Sequence, residues 1–189
     1  MDKKYNKLLN LIEELDKKEQ QIIIAIDGNC TSGKTTLADF LKLKYDANLF
    51  HMDDYFKSKN QEKSDENYMK HIDLIRLKKE IIDPLINDTD IQYQSFNCKT
   101  QELSAHTYVK KKKINIIEGA YSMHPDVLQT SNIKIFMKSN IFQQIRRIIK
   151  RNGIKELMNY MIVWIPKENA YFRHYQIQKM ADYVIKTRH

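Results

Sequence analysis

Residues 21–35, QIIIAID running into GNCTSGKT, decide the fold. Ile22 to Ile26 form a continuous apolar, mostly β-branched run with no polar alternation, the pattern of a strand covered on both faces in a parallel sheet. The run stops at glycine. Gly28-Asn29-Cys30-Thr31-Ser32-Gly33-Lys34-Thr35 then matches G-x-x-x-x-G-K-[ST] at every fixed position, and Thr36 carries it on into a predicted helix over Thr35–Tyr45. Two glycines let the backbone curl until successive N–H groups point at phosphate oxygens, and the helix behind adds its positive end. Lys34 is placed to reach the β- and γ-phosphates, and the Thr35 hydroxyl to ligate Mg²⁺. A chain with only four glycines that puts two of them here is not making a chance turn. Residues Gly28 through Thr36 are thus the expected binding loop for ATP with Mg²⁺. Asp27, just ahead of the first glycine, reads as a structural turn former.

Outward from this loop, ANLFHMDD (47–54) reads as a second strand, which completes a strand–helix–strand unit. INIIEG (114–119), IKIFMK (133–138) and DYVIK (182–186) add three more buried strands. Helical spacing recurs over 70–87 through Ile72, Ile75, Leu77 and Ile81, over 140–151, and over about 155–180. IQYQSF and HTYVKKKK alternate as a hairpin or a pair of edge strands, and KSKNQEKSDENY (57–68) reads as a surface loop. Leu8, Leu11, Ile12 and Leu15 make residues 1–20 an amphipathic N-terminal helix. No repeat and no Gly/Pro/Ser-rich linker divides the chain, so 1–189 is expected to be a single domain. The sum is a three-layer α/β fold, a P-loop NTPase fold with a five-stranded, mostly parallel sheet.

A net charge of +8 suits an anionic partner such as a nucleotide. Neither a signal-peptide pattern nor an apolar stretch of membrane-spanning length is found, which leads us to expect a soluble cytoplasmic protein. Cys30 and Cys98 lack the spacing of a zinc site and are too few for a disulfide framework, so both are expected as thiols.

Three further groups bear on chemistry. His51-Met52-Asp53-Asp54-Tyr55-Phe56 closes the second strand at the carboxyl edge, where one of the two acids is expected to face the cleft and the other to turn away. Glu118 closes the third strand in the same way, where an oxygen ligand for the metal or its water shell is needed. In FQQIRRIIKRNG, Ile141, Ile145, Ile148 and Ile149 form an apolar stripe, with Arg147, Lys150 and Arg151 on another face. Either Arg147 or Arg151 can cover the transferring phosphoryl group, and Gly153 offers a hinge. The run Lys110 to Lys113 reads as a loop charge cluster.

With these residues placed, the chain resembles the uridine kinase family of small-molecule P-loop kinases and is also similar to the nicotinamide riboside kinases. The resemblance covers about residue 20 to the end and rests on the Asp27–Thr36 loop, HMDDYF, IIEGAYSMHP, RRIIKRNG and WIPKENAYF. It implies that Asp53, ahead of Asp54, accepts the proton of the acceptor hydroxyl. It implies further that Glu118 serves the metal and that about 140–165 forms a mobile helical lid carrying Arg147 and Arg151. By the same resemblance the P-loop strand lies in the middle of the sheet. Tyr55, Phe56, Arg76 and Phe96 are the expected substrate contacts beside Asp53. Where uridine kinases carry Tyr-Asp-Phe followed by a histidine and an arginine, this chain has Tyr93-Gln94-Ser95-Phe96-Asn97-Cys98-Lys99. The resemblance therefore implies a kinase acting on a small alcohol, a uridine- or cytidine-like nucleoside first. Nicotinamide riboside, pantothenate and sugar-like acceptors are alternatives, as is a nucleotide-binding NTPase without an acceptor. No nucleic acid or membrane partner is expected.

Overall fold

The computed structural model describes residues 3–58 and 70–187. Ile22 to Gly28 form β1, and every residue of it is buried. Its alternation divides the core. Ile22, Ile24 and Ile26 face one apolar layer, which helices α1 (Lys3–Lys18) and α2 (Lys34–Tyr45) complete with Leu8, Ile12, Leu37 and Leu41. Ile23 and Ala25 face the other layer, with Phe50, Tyr55, Leu77, Ile81, Ile117 and Tyr171. A strand apolar on both faces is stable only with cover on both, which is why β1 sits at the centre.

Parallel partners flank it. β2 (Asn48–His51), β7 (Ile114–Glu118), β8 (Ile133–Lys138) and β9 (Tyr183–Lys186) complete a five-stranded sheet in the order β2-β7-β1-β8-β9. All of its pairings are parallel. The P-loop strand thus holds the middle, and every strand ends at the same edge as Gly28.

β2 is shorter than the alternation of ANLFHMDD suggests. The last pair of the β2–β7 ladder joins His51 to Glu118, where β7 ends, so the chain loses its partner and winds into a 3₁₀ turn at Met52–Tyr55. Asp53 and Asp54 accordingly lie on a turn and do not alternate across a strand. Beyond the turn, Phe56 bridges Ile72 antiparallel, with Lys57 N donating to His71 O at 2.8 Å and Asp73 N to Tyr55 O at 2.7 Å. The loop expected over 57–68 lies almost wholly outside the described residues.

Helix α3 (Leu74–Leu77) runs through a π-helical stretch, Lys78–Ile82, into α4 (Asp83–Ile86). The π turn falls directly ahead of Asp83-Pro84, since proline offers no N–H to the carbonyl one turn back. Ile72, Leu77 and Ile81 are buried as the spacing requires, but Ile75 is 83% exposed because the helix begins only at Leu74 and turns it outward. The IQYQSF and HTYVKKKK segments pair as β3 (Ile91–Tyr93) with β6 (Thr107–Val109), outside the main sheet, with β4 (Phe96–Asn97) and β5 (Glu102–Leu103) between them. The lysine run after β6 is spread over four ion pairs, Lys110–Asp90, Lys111–Asp88, Lys112–Asp46 and Lys113–Asp16.

After the short α5 (Pro125–Leu128) and β8 comes the basic helix, α6 (Ile141–Asn152). Asn140 caps it by accepting from Gln143 N at 2.9 Å while the Gln143 side chain accepts from Asn140 N at 3.1 Å. Ile148 is fully buried, whereas Ile141 and Ile149 sit at the margin, so the inner stripe is narrower than the isoleucines suggest. Gly153, with φ 84°, separates α6 from α7 (Ile154–Asn159). A second π-helical stretch, Tyr160–Trp164, precedes Pro166 and leads into α8 (Ile165–His174), followed by α9 (Ile177–Met180). Together α6 to α8 form an arm across the edge where β1 ends.

Candidate active site

The phosphate loop is held from below and from both sides. Gly28, at φ 137°, lies against the backbone of Met137 in β8, and a Cβ there would meet the Met137 carbonyl oxygen at 2.1 Å. Asn29 N donates to that same oxygen at 3.0 Å, and Asn29 Oδ1 accepts from Ser139 N at 3.1 Å. Thr31 (φ 55°) and Gly33 (φ 89°) supply the left-handed turns that curl the loop. Lys34 Nζ donates to the carbonyls of Gly28 at 2.8 Å and Asn29 at 3.0 Å, folding back over its own loop. Thr31 Oγ1 and Ser32 Oγ are buried and have no hydrogen-bond partner among the described residues. Both residues line the cleft.

Carboxylates surround Lys34. Asp27 is fully buried; its Oδ1 accepts from Gly28 N at 2.6 Å, and its Oδ2 from Met123 N at 3.0 Å and the Tyr171 hydroxyl at 2.8 Å. Burial pushes its carboxyl up to about 6 against the pull of Lys34 and these donors. That pattern ties β1 to the segment after β7 and to α8, in keeping with a structural aspartate. Glu168, from α8, accepts from Cys30 N at 2.9 Å, and burial raises it to about 7.

Thr35 Oγ1 donates to Glu118 Oε1 at 3.2 Å, and His51 Nδ1 lies 2.6 Å from the same oxygen. That contact, ahead of desolvation working against it, raises the His51 pKa. Thr35 and Glu118 thus meet at the loop's mouth, the two residues expected to serve a metal. Among the described residues no group of three or more His, Cys, Asp or Glu side chains is arranged to hold an ion by itself. A hydroxyl and one carboxylate are a hard-oxygen pair suited to Mg²⁺ carried in on a nucleotide's phosphates with its own water.

Asp53 faces this cluster from the 3₁₀ turn, with its side chain open to the cleft. Desolvation by the surrounding protein and then the charge of Glu118 raise its carboxyl, while Lys34, His51 and Arg151 pull it back. Asp54 is also raised, chiefly by desolvation, but does not line the cleft. From the arm, Arg147 donates to the Thr31 carbonyl at 2.9 Å, and Arg151 reaches the Tyr160 hydroxyl at 3.1 Å. Cys30, buried beside Glu168, and exposed Cys98 are both free thiols.

A cleft of about 670 Å³ brings several of these groups together. Cys30 through Thr36, Asp53, Phe56, Glu118, Arg147 and Arg151 all line it. Three expected substrate contacts do not. Tyr55 is buried in the core with the Arg76 guanidinium 4.4 Å from its ring centre. Arg76 also donates to the carbonyls of Gln94, at 2.6 Å, and Asp54, so it fastens the 3₁₀ turn to the β3–β6 hairpin. Phe96 pairs with Leu103 in the small β4–β5 ribbon.

The cleft also contains residues the sequence reading did not assign. Glu168 supplies a buried polar contact, and His71, Tyr121 and Trp164 add an aromatic wall next to Phe56. Tyr121, Trp164 and Glu168 stand inside IIEGAYSMHP and WIPKENAYF, stretches already singled out, so a partial signal existed for them. His71 had none.

No family model matches the chain, and no curated protein matches it. Solved structures do. One, described as a possible uridine kinase from Bacillus stearothermophilus, is 20% identical over 95% of this chain and 99% of its own, with a TM-score of 0.68. A second, described as a candidate fructose transport system kinase from Silicibacter sp. TM1040, is 16% identical over 97% and 99%, with a TM-score of 0.73. The D-glycerate 3-kinase from Cryptococcus neoformans is 13% identical over 93% and 87%, with a TM-score of 0.59. At such identities the likeness is one of fold: the chain has the three-layer α/β architecture of these P-loop kinase structures, with the five-stranded parallel sheet at its centre.

Proposed function

We propose that this protein is an ATP- and Mg²⁺-dependent kinase that phosphorylates a hydroxyl of a small alcohol, a primary hydroxyl of a nucleoside first among the candidates. One observation carries the reading: the phosphate loop, the Thr35–Glu118 pair, Asp53 and two arginines of the arm line the same cleft. A phosphate-binding loop alone would suit any nucleotide-binding protein; an acid opposite it, open to the cleft, provides for an acceptor.

In this reading the γ-phosphate displaces the Lys34 ammonium from the Gly28 and Asn29 carbonyls, and Lys34 then bridges the β- and γ-phosphates. Bound Mg²⁺, held by Thr35 and through the shell of Glu118, would neutralise charge between those phosphates. Asp53 accepts the acceptor's hydroxyl proton as the oxygen–phosphorus bond forms and the bond from the γ-phosphorus to the β–γ bridging oxygen breaks. Its raised pKa brings it nearer the working pH of a base. Arg147 and Arg151 face the charge that spreads over the transferring group, and the arm that carries them is the proposed lid, with Gly153 as its break.

Paired variants test this. Lys34→Ala is expected to abolish acceptor-stimulated ADP formation, and Asp53→Asn to slow it by about 10²–10⁴-fold with ATP affinity nearly unchanged. Full turnover in Asp53→Asn would remove Asp53 as the base.

A likeness to the fold of a described uridine kinase supports a nucleoside acceptor but equally accompanies kinases described for fructose transport and glycerate. Among the described residues no helix is long and apolar enough to cross a membrane, which accords with a proposed cytoplasmic kinase.

A further inference from the structure

Glu168 is a buried carboxylate with no part in the proposed transfer. It lines the cleft from α8, and its Oε2 accepts from Cys30 N, an amide of the phosphate loop itself, at 2.9 Å. Amides of such a loop are donors for phosphate oxygens, so a negative side chain already stands beside the place that receives negative charge. Among the described residues no ion pair neutralises it, since Lys34 Nζ donates to the Gly28 and Asn29 carbonyls. The groups that act on it come from every side: Lys34 and Cys30 from the loop, Asp27 from β1, Asp53 from the 3₁₀ turn and Tyr121 from the segment after β7. Helix α6 adds Arg147, Lys150 and Arg151 to the same cleft. Burial, the largest influence, raises the Glu168 carboxyl to about 7; Lys34 and the Cys30 amide lower it, and Asp27 and Asp53 raise it. The Cys30 thiol, pushed up to about 11, and the Tyr121 hydroxyl, also raised by burial, stay neutral. Arriving phosphates act twice in one direction. They bring negative charge to the loop, and they neutralise the Lys34 ammonium, the strongest pull that holds the carboxyl down.

We propose that Glu168 takes up a proton when a nucleotide's phosphates occupy the loop, so that nucleotide binding is proton-linked and weakens as pH rises. The proton comes from solvent and settles on Oε1, leaving Oε2 to accept from Cys30 N. Asp27 feels the same push but starts from about 6 with three donors on it, so at pH 8 Glu168 is protonated first. This rests on the loop's binding a nucleotide, as the kinase reading has it, and adds a means by which pH sets its occupancy. One negative charge at about 6 Å, in a medium of effective dielectric constant about 20, raises a carboxyl by about two pKa units. At pH 8 the wild type should therefore take up about 0.8 proton per Mg·ADP bound, and its affinity should fall about tenfold between pH 7 and 8.5.

Calorimetric titration of the full chain with Mg·ADP at pH 6, 7, 8 and 8.5, each in buffers of different ionisation enthalpy, counts those protons directly. Glu168→Gln keeps the shape of the side chain and cannot titrate. It is expected to abolish the uptake at pH 8 and to bind Mg·ADP about tenfold more tightly than the wild type at pH 8.5, with the two converging at pH 6. Wild-type binding without proton uptake at pH 8, or an uptake that persists in Glu168→Gln, overturns the inference, and a failure of Mg·ADP to bind overturns the kinase reading with it. Acceptor-stimulated ADP formation judges that reading separately: turnover without Glu168-dependent uptake sinks this inference alone, and Glu168-dependent uptake without turnover sinks only the kinase.

Discussion

Glu168→Gln in the ligand-free protein should raise stability at alkaline pH and leave it little changed in acid. Glu168 is buried against the phosphate loop, with a carboxyl pushed from 4.5 to about 7 by desolvation. A carboxyl whose pKa rises on folding favours the native state below its unfolded value, and that advantage is lost as pH climbs through its folded value. At pH 8 the buried charge therefore costs the native state about 3 kcal/mol, 2.5 pKa units at 1.36 kcal/mol each. Glutamine keeps an acceptor for Cys30 N, now at 2.9 Å, and the weakening of that bond on loss of the charge is already contained in the net shift. The variant should thus be more stable than the wild type by about 3 kcal/mol at pH 8, with the difference within about 1 kcal/mol of zero at pH 5. Urea unfolding of both proteins at pH 5, 6, 7 and 8 measures this. A difference that does not vary with pH, or a variant that loses most at pH 8, would refute the account of Glu168 as a charge held in a dry site.

Gly28→Ala places a Cβ 2.1 Å from the Met137 oxygen and 2.6 Å from its nitrogen at φ 137°, so backbone strain and overpacking together should cost about 2–6 kcal/mol, read as a fall in urea midpoint. Asn140→Ala removes the side-chain half of the α6 capping box and should cost about 1 kcal/mol by the same assay, with Asn140→Asp close to neutral. If Asp53 is the base, kcat/KM should fall as pH is lowered, with a midpoint above the ordinary aspartate value of 3.8; in Asp53→Asn that acid limb should vanish from the residual activity.

The centre of the fold and the phosphate half of the site were legible because both are written locally. Four isoleucines within Ile22–Ile26 leave no polar face, and a glycine pair at fixed spacing is what a phosphate loop needs. Features set by distant partners were not. β2 stops at His51 because β7 ends at Glu118, more than sixty residues away, and the 3₁₀ turn that presents Asp53 follows from that limit. Ile75 fits the helical period but lies beside the helix start and is exposed. Arg76 and Tyr55 were both expected as substrate contacts, yet they stack on each other as a brace beneath the turn. At the aromatic wall of the cleft, Phe56, His71, Tyr121 and Trp164 come from four separate segments, and no local spacing shows that they converge.

The central claim is transfer of a phosphoryl group from ATP to a small alcohol, and the most direct measurement is product formation. Purified protein with Mg·ATP is offered uridine, cytidine, adenosine, nicotinamide riboside, pantothenate, fructose and glycerate in turn, with ADP release and the mass of the acceptor followed together and Lys34→Ala run beside each. The account predicts that a nucleoside stimulates ADP release, gains one phosphoryl group in equal amount, and does neither with Lys34→Ala. ADP release that no acceptor stimulates, or phosphorylation that survives the loss of Lys34, would contradict it.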